Sequence, residues 1–188
     1  MRETEKRIET TKTEQKNINM YCSFVQEKAP KMFCFFIELQ SMGYFRVPAS
    51  TKYHGNHEGG LFEHSYAVAE TLLELTEKLG LNWSRPESPV MIGLFHDLCK
   101  CDQYKQLENG TWVYENSGII PGHGEKSVIY AQKLTKLTDE EIACIRWHMG
   151  SYETDTKMWE YYDRAIRKHN NVLYTHMADM IASKIKDI

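Results

Sequence analysis

His64, Val68, Thr71, Leu75 and Leu79 fall on one face of a single helix, the last four at offsets of 4, 7, 11 and 15 residues from His64. An imidazole at the head of an apolar stripe faces a core, and Gly80 supplies the stop. Other stretches follow the same helical pattern. Pro30 can open a helix running through Leu39, at an early position where its missing N–H costs nothing. A loop from Pro48 to Gly60 precedes the His64 helix, and a third helix from about Glu87 to Leu98 is apolar on most sides and hence central. Further helices are expected over Gly124–Leu134 and from the capping-box sequence Thr138-Asp139-Glu140-Glu141 to about Gly150. One or two more fill Thr156 to Ile188. The exception is Tyr104 to Tyr114, where Asn109-Gly110 between two β-prone runs signals a hairpin. The fold class is therefore an all-α bundle with one small inserted β-hairpin.

Residues 1–19 contain few aliphatic side chains among Glu, Lys, Arg, Thr, Gln and Asn, and are expected to be a charged extension preceding a domain over residues 20–188. The formal net charge of -3 argues against a protein that coats nucleic acid, which would carry a basic surplus. No apolar run approaches the ~20 residues of a membrane span. The five cysteines are odd in number and form no Cys-x-x-Cys pair, which argues against a disulfide framework or a zinc ribbon. A soluble cytoplasmic protein with reduced thiols is the expectation.

The chemistry resides in a series of metal-competent side chains spread along successive helices: His64, His96-Asp97, His123, His148 and Asp179. Imidazole and carboxylate together suit zinc, manganese, iron, nickel or cobalt. Asp179 stands among Met177, Ala178, Met180 and Ile181. It must be paired, hydrogen-bonded or metal-bound if it faces inward, and is unremarkable if it faces solvent. Lys100 follows His96 by four residues and Asp97 by three, so on a helix its ammonium projects over the same side. There it can hold an anionic substrate or pair with a carboxylate.

The pieces Gly59-Gly60-Leu61-Phe62-Glu63-His64, His96-Asp97-Leu98-Cys99-Lys100, Gly122-His123-Gly124, Arg146-Trp147-His148 and His176-Met177-Ala178-Asp179 come in an order that resembles the HD-domain superfamily of metal-dependent phosphohydrolases. The chain is similar in tone to small stand-alone, phage-type HD hydrolases and to the HD domain of bacterial 3′–5′ exoribonucleases. The resemblance implies an HD-domain helical bundle in which His64, His96, Asp97 and Asp179 hold one divalent ion. His123 and His148 match the two additional histidines of dinuclear members, with Asp97 bridging. Two ions ~3.5–4 Å apart clamp both the attacking and the leaving oxygen of a phosphoester. The implied reaction is attack on phosphorus by a metal-bound hydroxide, with Asp97 as ligand and orienter and Lys100 offsetting developing charge. The implied partners are a phosphorylated small molecule, a nucleotide or a short oligonucleotide, and a second copy in a homodimer.

Lys126 and Arg146 flank His123 and His148 and are expected to reach substrate phosphate, with His57 at the pocket entrance beside His54. His176 reads as a satisfied core histidine or a support for Asp179, and Cys99 and Cys101 read as structural. The cluster around Trp159, Tyr161, Tyr162, Arg164, Arg167 and Lys168 reads as an amphipathic helix. Two other functions share the pattern: a mixed-valence di-iron oxygenase, as in myo-inositol oxygenase, and a non-catalytic nucleotide-binding module.

Overall fold

The Thr11 side chain opens the first helix by accepting from the Glu14 amide, and α1 runs over Lys12–Lys28. The computed structural model describes residues 10–53, 55–115, 118–152 and 156–188. Within them α1 crosses the expected boundary at residue 19 without a break, which differs from a separate extension. Polar side chains dock it: the Asn17 amide donates to the Phe45 and Gly59 carbonyls, while Ile18, Tyr21 and Val25 are buried. Gly59 has φ of +82° and lies against Asn17, so a side chain there would be strained and would collide with that amide. Residues 1–9 of the expected extension lie outside the described residues.

Pro30–Phe35 forms a 3-10 turn rather than the first part of one long helix, and α2 follows over Phe36–Ser41. Helix α3 (Gly60–Leu79) is the spine, packed against α4 (Ser88–Phe95) and α8 (Asn171–Lys184). Every residue of α4 is buried, as its apolar composition requires. Tyr44, Phe45 and Phe62 stack edge-on or tilted around its base, and the Tyr44 hydroxyl donates to the Leu94 carbonyl.

Helix α4 ends at Phe95, three residues before the expected end at Leu98. His96 and Asp97 occupy a turn, and Leu98–Asp102 is 3-10. Asp97 leaves helical geometry at φ −111° and ψ 18°, so the pair projects sideways from the helix end. The hairpin follows as β1 (Tyr104–Gln106) antiparallel to β2 (Trp112–Tyr114), with Tyr104 opposite Tyr114. The Tyr104 hydroxyl ties it to the Ala49 carbonyl at 3.2 Å.

Helix α5 (His123–Leu134) packs on α6 (Asp139–Arg146), whose Thr138–Glu141 capping box is complete on both sides. Glu141 also meets Arg85 and Ser88, which closes the bundle at the end of α4 away from His96. Helix α7 (Trp159–Lys168) lies on α8 and carries the Glu160–Arg164 and Asp163–Arg167 pairs on its exposed side, as an amphipathic surface helix does. Among the described residues no helix is long and apolar enough to cross a membrane.

Candidate metal centre

Five parts of the fold deliver polar side chains to one point. His64 comes from the second turn of α3, His96 and Asp97 from the turn after α4, and His123 from the first position of α5. His148 follows α6, and Asp179 comes from α8. His64, His96, Asp97 and His148 are almost fully buried.

The four rings are held alike. Nδ1 of His96 lies 2.8 Å from the Gly93 carbonyl, that of His148 2.7 Å from the Ile145 carbonyl, and that of His64 2.9 Å from the main-chain oxygen of Ile188. Nδ1 of His123 meets the Cys99 sulfur at 2.8 Å. With Nδ1 occupied, each ring turns Nε2 inward. Asp97 Oδ2 stands 3.5 Å from His96 Nε2 and 3.9 Å from His64 Nε2, whereas Oδ1 stands 2.7 Å from His123 Nε2 and 3.5 Å from His148 Nε2. Asp179 Oδ1 adds a contact of 3.1 Å to His64 Nε2.

A model of the HD domain matches residues 61–183, about two thirds of the chain. The chain belongs to the HD-domain family. Its superfamily consists largely of metal-dependent hydrolases. Curated proteins and solved structures give no match to the chain.

The HD residues fit a divalent cation on their own chemistry. His96 Nε2 and His148 Nε2 are buried with no hydrogen-bond partner among the described residues, and an unsatisfied buried polar atom is costly. Ligand atoms of His64, His96 and Asp97 fall within 4.8 Å of one another, as do those of Asp97, Cys99 and His123. Burial pushes the His96 imidazole down to about 3 despite the Asp97 charge, so it is neutral and able to donate a lone pair at physiological pH. Burial lowers His123 as well. Burial alone would raise the Asp97 carboxyl, but Lys100, His96 and His123 outweigh it and hold Asp97 well below the ordinary carboxylate range. Asp179 is held down against burial by its hydrogen bond to His64 and the neighbouring imidazoles.

Lys100 reaches Asp97 Oδ2 at 2.7 Å through a 3-10 turn rather than along a continued helix. Burial disfavours its charge, yet Asp97 raises its pKa overall, so it is an ammonium. It lines a cavity of about 380 Å³ whose floor includes His64, Asp97, His123 and Asp179. Tyr53, Tyr104 and Tyr152 form part of the walls, with Lys184 at the edge. A second cavity of about 340 Å³ shares His123, Met149 and Tyr152 with the first and extends to Glu125 and Arg146.

The three expected substrate contacts fare differently. Lys126 lies outside both cavities, buried, with its ammonium 2.5 Å from Asp102 Oδ1. Asp102 also accepts from Tyr130, so Lys126 ties α5 to the 3-10 turn. Arg146 lines the second cavity, paired with Glu125 and stacked 4.0 Å over Trp147. His57 is exposed beside Glu63 and lines neither cavity, while His54 lies outside the described residues. His176 supports the main chain of the neighbouring ligand candidate, with Nδ1 2.8 Å from the His148 carbonyl. The tyrosine walls carry no sequence signal, since Tyr53 sits in a loop and Tyr152 in a short 3-10 turn, neither long enough to show periodicity. Cys99 lies within the His96–Lys100 motif, yet its spacing gives no sign that its sulfur meets His123.

Proposed function

We propose that this HD domain hydrolyses a phosphoester of a nucleotide or short oligonucleotide at a dinuclear divalent-metal site. The division of Asp97 carries the reading: one oxygen faces His64 and His96, the other faces His123 and His148. His64, His96, Asp97 and Asp179 would hold one ion, and His123, His148 and Asp97 the other. Manganese, nickel, cobalt, iron and zinc all suit these ligands. When bound, such ions supply Lewis acidity toward a phosphoryl oxygen and water that ionises near neutral pH.

The chain's own residues do the rest. Lys100 fixes the Asp97 carboxylate and places a positive charge on the cavity wall, where the phosphoryl oxygens gain charge as the ester breaks. Tyr53 and Tyr152 are exposed on that wall, and stacking on such rings is worth ~1–3 kcal/mol per base. This supports a base-bearing substrate over a sugar phosphate. Lys100→Ala should lower turnover by about 10²-fold with metal content retained, measured by steady-state kinetics and elemental analysis.

The deciding experiment is elemental analysis of protein purified without chelator, followed by a screen of nucleotides and short oligonucleotides with manganese, nickel and cobalt. Two ions per chain with phosphate or nucleotide release supports the proposal. Iron with oxygen-dependent loss of substrate replaces it with the oxygenase reading. No metal after soaking and no turnover replaces it with a binding module.

A further inference from the structure

Three imidazoles of the cluster rest on main-chain oxygens, but His123 rests on a thiol. Carbonyls fixed by helical turns or by a main-chain segment hold a ring without help from any side chain. A ring held by a side chain depends on that side chain being present. Cys99 is fully buried, and its Sγ lies 2.8 Å from His123 Nδ1. Its main-chain N–H donates to Ser127 Oγ at 3.1 Å. His123 and Ser127 are four residues apart on α5, so the two contacts meet one face of that helix at its first turn. Asp102, three residues beyond Cys99, adds its bonds to Lys126 and Tyr130 of the same helix. The 3-10 turn therefore sets the position of α5, and Cys99 sets the ring at its start.

We infer that Cys99 is a positioning residue for the second metal half-site: with an ion held beside Asp97 Oδ1, its sulfur would accept Nδ1–H of His123 and leave Nε2 free for that ion. The inference rests on the dinuclear reading. For His123 to donate a lone pair from Nε2, its proton must sit on Nδ1, and the sulfur is the acceptor placed to fix that tautomer. Direct ligation by Cys99 through the same ring arrangement is disfavoured, because the sulfur lies at Nδ1, the nitrogen turned away from Asp97. The two halves differ in consequence: His64 and His96 both stand on main-chain oxygens and have Asp179 beside them, while in the other half His148 stands on a main-chain oxygen and His123 on one sulfur. Supports of this kind change metal affinity by ~10–100-fold when removed.

The test is a titration of the chelator-treated full chain with manganese, followed by calorimetry and by the coupled-pair signal in electron paramagnetic resonance. Cobalt absorption runs in parallel. The wild type should take two ions unequally. Cys99→Ala should weaken the second by ~10–100-fold and leave the first unchanged. Cys99→Ser, which restores an acceptor, should recover most of the loss, with circular dichroism confirming that each variant is folded. Two ions at wild-type affinity in the folded Cys99→Ala protein overturn the inference alone. So does a sulfur-to-cobalt charge-transfer band that Cys99→Ser abolishes, which makes Cys99 a direct ligand. A single ion in the wild type overturns this inference together with the dinuclear reading.

Discussion

Asp97→Ala is expected to lose both ions together, whereas His96→Ala and His148→Ala each lose one. The asymmetry follows from the two carboxylate oxygens. Oδ2 lies nearest His64 and His96, and Oδ1 nearest His123 and His148, so under the proposed dinuclear reading one side chain serves both halves. Activity should fall by at least ~10³-fold, because removal of one stabilising group at developing charge costs 10²–10³ and two metals contribute more than one such group. The variant also leaves the Lys100 ammonium without its carboxylate. That side chain is 14% exposed and borders the cavity, so it can turn toward water. The fold should therefore survive, with circular dichroism as the check. Asp97→Asn separates shape from charge. It keeps a carbonyl oxygen at similar volume, and it should still lose most of the bound metal because the neutralising charge is gone. An Asp97→Ala protein that retains two ions by elemental analysis would show that the carboxylate is not shared.

Much of this arrangement was readable from spacing. The stripe headed by His64, the capping box at Thr138 and the turn at Asn109-Gly110 are local signals, and local physical chemistry decides them. What was not readable depended on tertiary contacts. Helix α1 has a weak apolar face, yet Asn17 is buried because its amide satisfies two carbonyls of the segments at Phe45 and Gly59. Hydropathy counts such a residue as exposed. Helix α4 ends at Phe95 and Asp97 leaves helical geometry without a Gly or Pro to mark the break, so no propensity encodes it. Lys126 follows His123 by three residues on α5 and so reads as a substrate contact from spacing, but where a long side chain's head group goes is decided by its tertiary partner. It faces Asp102, and the cavity lies elsewhere. The motif made Cys99 conspicuous without showing that its sulfur meets a ring 24 residues away.

Gly93→Ala should destabilise the protein by about 3 kcal/mol and weaken the first metal half-site, although alanine favours helices. In a helix interior the change alone would stabilise by ~0.5–1 kcal/mol. Gly93, however, is where α4 presses on α3: an added Cβ would stand 2.5 Å from the Ala69 nitrogen and 2.7 Å from its Cβ, closer still to its Cα. Two of those three atoms are backbone, so no rotamer relieves the overlap and the helices must separate. Overpacking of this kind costs ~1–3 kcal/mol and more where backbone must move, which outweighs the propensity gain. The displacement reaches the metal centre from both sides. The Gly93 carbonyl holds His96 Nδ1 at 2.8 Å, and His64 lies on α3 a little more than one turn before Ala69. At roughly 2–4 °C per kcal/mol for a chain of this size, the melting midpoint should fall by ~6–12 °C. Adding Ala69→Gly removes the Cβ contact but neither backbone contact, so the double variant should recover only a minor part of the loss. Full recovery in urea unfolding would mean that the side-chain overlap alone sets the helix spacing.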